Sequence, residues 1–174
     1  MRYCPVIVFV LICMFASCQN KNDSSKPRVI SQEELIGINK KLVDADMAKI
    51  RSFAKKENWN YVELDNGLIY EVLMKGEGEK ASPKDQVLFS YQLLNLEKEI
   101  IYSSEDMGLR KFSVDFDEVE AGLNQIAKIS NQGDSLRVLL PPHLAFGLAG
   151  DGKKVPQRSC LLYYLKLVEI LDQN

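Results

Sequence analysis

The sequence predicts an α+β fold: one amphipathic helix, then a run of strands with a short helix among them. Three observations predict it. Apolar residues recur at a helical period between residues 31 and about 57. A strand-like pattern takes over from Tyr61. The strands then follow one another without the βαβ rhythm of a parallel sheet, and no internal repeat is visible. A chain of 174 residues suits one principal domain with a small appendage. Its 22 Lys and Arg against 24 Asp and Glu give a net charge of −2, which is no electrostatic footprint for nucleic acid. One histidine argues against multi-histidine metal sites and against most Ser–His or Cys–His machinery.

The first element reads as an export signal. Arg2 supplies a short positive start, and Pro5 to Phe15 form an apolar stretch too short to span a bilayer comfortably. Ala16 and Ser17 then precede Cys18. The arrangement resembles a bacterial lipoprotein signal, in which cleavage leaves a cysteine at the new N-terminus to carry lipid. Phe15 stands where Leu is commonest. An ordinary secretory peptide and an uncleaved anchor are the alternatives. The lipoprotein reading makes residues 1–17 the signal peptide and 18–30 a polar, flexible tether. It makes Cys18 the lipid attachment site and the protein a lipid-anchored component of the cell envelope, facing the periplasm or the cell surface.

Cleavage also discards Cys4 and Cys13, so four cysteines do not make a disulfide framework. Cys160 is left as the free thiol. It opens the apolar run Cys160-Leu-Leu-Tyr-Tyr-Leu165 and is expected in the core rather than as a nucleophile.

Residues 31–60 form the N-terminal helical segment. Ser31-Gln-Glu-Glu34 has the capping-box pattern, with Ile30 and Leu35 flanking it as a hydrophobic staple. Ile36, Val43, Met47, Ile50 and Ala54 then mark one apolar stripe, widened by Leu42 and Phe53. An apolar face that follows a tether needs a partner. It either docks on the following domain or pairs with its twin in a homodimer.

Residues 61–174 form the main domain. Gly67 to Leu73 is a strand candidate ending at Lys75-Gly-Glu-Gly78, whose GxG lacks the further glycines and following helix of a phosphate loop. Val87 to Leu94 is apolar on much of both faces, so it is a strand covered on both sides. Lys111 to Val114 is a short strand, and Asp117 to Ile129 a compact helix with Val119, Leu123, Ile126 and Ala127 on one side. Ser135 to Leu140 and Cys160 to Ile170 are strands joined by a long loop from Pro141 to Arg158. His143 lies in that loop without an acidic or cysteine partner, and Trp59 is a packing residue. Asp115, Asp117, Glu118 and Glu120 cluster where the compact helix begins, where acids favour the positive end of its dipole. Neither a metal nor a cofactor is indicated. Any activity should depend on the shape of an apolar pocket.

Gly133-Asp-Ser-Leu-Arg-Val138, Pro141-Pro-His-Leu-Ala-Phe-Gly147, Val155-Pro156 and Leu161 to Ile170 together resemble the C-terminal half of an FK506-binding-protein (FKBP)-type prolyl isomerase. Upstream, Val87 to Tyr91, Ser103-Ser104, Phe112, Glu118-Val119 and Gly122 fit the rest of that domain, so the resemblance spans about residues 67–170. The layout of signal, helix and domain is similar to exported isomerase lipoproteins of the Bacteroidetes type, some of them associated with gliding motility. The resemblance implies an antiparallel sheet curled around a short helix, with a proline pocket between them. By position it implies a pocket built from Tyr91, Ile101, Tyr102, Val119, Leu123, Phe146, Val155 and Tyr163, with no covalent catalyst.

Several positions depart from the family pattern. Phe146 stands for a tyrosine, Tyr163 for a phenylalanine, Leu123 for the tryptophan floor, Tyr102 for an aspartate and Ile101 for a phenylalanine. Arg110 falls where an aromatic wall residue is usual, and Glu120 where an aliphatic one is. The resemblance therefore implies a prolyl isomerase with a remodelled pocket and slower turnover, assisting the folding of exported proteins and acting on proline-containing polypeptides. A binding module on the same fold, serving as a chaperone or in a surface assembly, is the alternative.

Overall fold

The computed structural model describes residues 30–171. The chain divides into two units, the first ending at Leu35 and the second beginning at Ile36. Within the first, the Glu34 amide donates to Ser31 Oγ at 3.2 Å, as the capping-box pattern requires of Ser31. Helix α1 runs from Gln32 to Lys56, and the sheet follows it.

The strands are β1 (Val62–Glu63), β2 (Ile69–Met74), β3 (Gln86–Leu94), β4 (Ile100–Ser103), β5 (Arg110–Ser113), β6 (Ser135–Leu140) and β7 (Leu161–Leu171). Two short α-helices interrupt them, α2 (Ser104–Met107) and α3 (Ala121–Ile129), and a 3-10 turn (Pro142–Leu144) follows β6. All pairings are antiparallel, in the order β1-β2-β6-β7-β3-β4, with β5 also on β3. The α+β class and the antiparallel sheet with its short helix are as the sequence and the resemblance imply.

The sheet buries both faces, and the register shows how. Leu139 lies opposite Leu162, and these two pack on α1 through Met47, Ile50 and Ala54. Their neighbours Val138–Tyr163 and Leu136–Leu165 point to the other face, where Leu123, Ile126 and Ala127 of α3 complete a second core. Leu161 to Tyr163 at the start of β7 are therefore buried regardless of parity, which explains the apolar run there; from Leu165 to Val168 buried and exposed residues alternate. Trp59 closes the α1 side, edge-on to Phe53 with Arg137 over its ring at 4.2 Å. Cys160 is buried in the same cluster.

The apolar stripe of α1 is covered only from Met47 onward; Ile36 and Val43 stay exposed. The helix thus docks on the domain by its C-terminal half.

Three expectations are corrected. The compact helix begins at Ala121, not Asp117. Asp117 instead accepts from the Ser113 amide at 2.7 Å, and Asp115 turns the chain at φ +59°. Asp115 and Asp117 therefore shape a turn, while Glu120 stands at the N-cap of α3 without a side-chain capping bond. The second strand starts at Ile69, because Gly67, at φ +88°, sits in the turn of the β1–β2 hairpin beneath Met47. The β4–α2 segment has no counterpart in the periodicity; Ser103 Oγ caps α2 by accepting from the Asp106 amide.

Candidate proline pocket

A cavity of about 260 Å³ opens between the concave side of the sheet and α3. Its walls come from β3 (Phe89, Tyr91, Leu93) and β7 (Tyr163, Leu165), whose side chains lie two apart and so share a face. Leu123 of α3 forms the floor, only 2% exposed. Tyr102 and Met107 border it from β4 and α2, Arg110 from β5, and Glu120 from the residue before α3. Phe146, Asp151 and Lys153 come from the long loop after β6.

Local sequence explains the placement. Tyr91 is held at both backbone atoms by Ser104 Oγ, which accepts from its amide at 3.1 Å and donates to its carbonyl at 3.3 Å. Its ring tilts against Tyr163 at 6.4 Å between centroids. Gly150, at φ +73°, lets the loop fold back on itself, because a Cβ there would collide with the Val155 carbonyl. Asp151 Oδ1 then accepts from the amides of Lys153 and Val155, each at 2.8 Å, and pins the loop tip.

Five of the eight residues expected in the pocket meet there: Tyr91, Tyr102, Leu123, Phe146 and Tyr163. The other three do not line this cavity. Val155 is 3% exposed and belongs to the core, and Val119 packs against that core from the loop before α3. Ile101 also touches the core, and it faces a separate cleft that includes Lys154 and Cys160. The β3–β4 register passes from Leu93–Tyr102 to Leu94–Ile100, so Ile101 is the extra residue of a bulge beside Tyr102. Cys18 lies outside the described residues.

The pocket also contains residues that sequence reasoning does not assign. Phe89, Leu93 and Leu165 could be found by the period of two around Tyr91 and Tyr163. Asp151 and Lys153 could not, since a glycine-rich loop carries no period.

Two polar groups are built into this apolar slot. Glu120, 9% exposed, receives the Arg110 guanidinium at 3.2 Å and the Tyr163 hydroxyl at 3.3 Å. Burial, with Glu120 beside it, holds the Tyr163 hydroxyl well above its ordinary pKa, so it is a neutral donor. The Tyr102 hydroxyl donates to Asp151 Oδ2 at 2.5 Å, and that bond raises the tyrosine's pKa. Burial opposes ionisation of Asp151. The Tyr102 hydroxyl and backbone amides outweigh it and leave the carboxyl below its usual range.

No Ser, Thr, Cys or His is among the described residues that line the cavity. Among the described residues no three His, Cys, Asp or Glu side chains gather as metal ligands would. A sheet curled on a short helix around an apolar slot of this size defines a protein with a preformed site for an apolar group.

The sequence pattern of FKBP-type peptidyl-prolyl cis-trans isomerases matches residues 77–168. The macrophage infectivity potentiator of Trypanosoma cruzi is 24% identical over 172 residues, covering 98% of this chain and 86% of that protein. A probable FKBP-type peptidyl-prolyl cis-trans isomerase of Haemophilus influenzae is 27% identical over 169 residues, covering 90% and 68%. The crystal structure of FkpA from Escherichia coli superposes with a TM-score of 0.64 at 20% identity, over 96% of this chain and 81% of that one. The chain belongs to the FKBP-type peptidyl-prolyl cis-trans isomerases, and it is an enzyme of that class.

Proposed function

We propose that this protein isomerises X–Pro bonds in exported polypeptides while held at the bacterial envelope by a lipid on Cys18. The observation that carries the catalytic part is the cavity over Leu123, walled by Tyr91, Phe146 and Tyr163. Rotation about a planar amide faces a barrier of about 18–20 kcal/mol, because resonance must be lost. A twisted amide is less polar than a planar one, so an apolar slot favours it and lowers the barrier by differential binding. A protease-coupled assay, scanned over the residue before proline, tests this. No acceleration with any peptide at high enzyme concentration overturns it.

The envelope part is supported by the N-terminal sequence, Pro5 to Cys18. Among the described residues no helix is long and apolar enough to cross a membrane. Cys18→Ser should move the protein from the membrane to the soluble fraction. Unchanged retention points to an uncleaved N-terminal segment instead.

A second reading, a binding module with little turnover, is favoured by Phe146, which offers no hydroxyl to a substrate carbonyl. It is recognised by peptide affinity at the pocket without acceleration in the same assay.

A further inference from the structure

We propose that Arg110 donates a hydrogen bond to the prolyl nitrogen as the substrate amide twists, held in place for this by Glu120. The inference rests on the isomerase reading of the pocket.

A carboxylate buried like that of Glu120 is costly unless paired, and an apolar pair of similar volume generally supports a fold as well or better. Stability alone therefore does not explain an ion pair in the wall of an apolar slot. Arg110 and Glu120 line the same cavity as Leu123 and Phe146. Only Nη2 of Arg110 is engaged, by Glu120 Oε2; its Nε and Nη1 have no protein acceptor among the described residues. The Tyr102 hydroxyl is committed to Asp151 and that of Tyr163 to Glu120. Tyr91 and Lys153 keep uncommitted donors. Neither is a cation whose direction is fixed by a buried partner.

A donor at nitrogen adds to what the apolar slot supplies. In the planar amide the nitrogen lone pair is delocalised and the carbonyl oxygen is the basic atom. Twisting returns the lone pair to nitrogen. A donor at oxygen stabilises the planar ground state, whereas a donor at nitrogen stabilises the twisted state alone. No bond forms or breaks and no proton is transferred; Arg110 stays protonated throughout.

The test resolves kcat from KM in the full chain. Arg110→Leu/Glu120→Leu removes both charges, so no buried carboxylate is left unpaired. Arg110→Met/Glu120→Gln does the same while keeping an acceptor for Tyr163, and carries the test should the first variant not fold. Either should lower kcat about tenfold or more, with KM changed less than about twofold. Arg110→Lys should recover part of the loss. Wild-type kcat in a folded double variant overturns the proposal. So does a raised KM at unchanged kcat, which reports a ground-state contact to the carbonyl. A wild-type chain without turnover overturns the isomerase reading itself, and the two failures are therefore distinguishable.

Discussion

The hydroxyl of Tyr102 meets the carboxylate of Asp151 at 2.5 Å across the mouth of the pocket, joining β4 to the loop that carries Phe146. The contact reaches 49 residues along the sequence, and Asp151 is itself braced by two amides of its own loop. Lys154 lies over the Tyr102 ring at 5.3 Å, adding a cation–π contact on the same side. One side of the cavity is therefore fixed by a side-chain contact rather than by the sheet.

Tyr102→Phe should keep the ring and remove the tie. The loop then loses its fixed position, and kcat/KM should fall by about threefold to tenfold through misplacement of Phe146. The pH profile provides a second readout. Asp151 titrates below its usual range, so its contribution is present above its unfolded value and is lost as pH falls through the lower folded one. Without Tyr102 its folded value should move back up, and the acid limb of activity should begin at higher pH. An unmoved limb would show that Asp151 is held by backbone amides alone.

Gly122→Ala should destabilise the protein, against the ordinary expectation for a helix. In an exposed helix the change gains about 1 kcal/mol, because glycine is the poorer helix former. Here an added Cβ would collide with the buried Leu140 side chain and lie 3.0 Å from the Leu144 carbonyl. Overpacking at such a contact costs roughly 1–3 kcal/mol, so packing outweighs propensity. Denaturant unfolding of the variant gives the sign directly. The pocket floor should shift as well, since Leu123 is the next residue of α3.

Periodicity recovers most of the framework because burial writes it into the sequence. β6 and β7 are legible from their apolar runs, and α1 from its stripe and its cap. The C-terminal bound of α3 is legible and its start is not, since Asp117 looks like a first-turn acid while bonding back to Ser113. The face-sharing partners Tyr91 and Tyr163 come through the family resemblance. Asp151 escapes because its role is set by a hydrogen bond between distant segments and by the positive-φ glycines around it. Ile101 lies outside this cavity at a β-bulge in the β3–β4 pairing, and no period in the sequence marks that bulge.

Cys160 should be unreactive in the folded protein. Burial, reinforced by Asp46, pushes its thiol up to about 11. At pH 8 the thiolate population is then about a hundredfold smaller than for a free cysteine, and access is blocked as well. Alkylation followed by peptide mapping should leave Cys160 unmodified until denaturant is added. The same shift carries a stability consequence of definite sign. The folded thiol stays neutral while the unfolded one ionises near its ordinary value, so stability holds below that value and declines as pH rises toward about 11. Cys160→Ala should flatten part of that alkaline decline.

Arg158 ties α1 to the pocket loop, and its removal should be felt at both. Its Nη2 donates to the Leu42 carbonyl at 2.6 Å and to Asp46 Oδ2 at 3.1 Å, and Nε adds a second bond to Oδ2. The Asp46 side chain is 6% exposed, and its Oδ1 is buried without a protein partner among the described residues. The carboxylate thus depends on one guanidinium. Arg158→Met should leave an unpaired buried charge and cost about 3 kcal/mol, toward the lower end for a broken buried pair because Arg158 is itself partly exposed. Asp46→Asn in the same background removes that charge, and should restore much of the loss although it replaces none of the hydrogen bonds that Arg158 makes. Thermal unfolding of the single and double variants, read as a cycle, separates the charge from the packing. Equal stabilities of the Arg158→Met single variant and the double variant would mean that Asp46 is hydrated rather than dependent on Arg158, and that α1 is held by Met47, Ile50 and Ala54 alone.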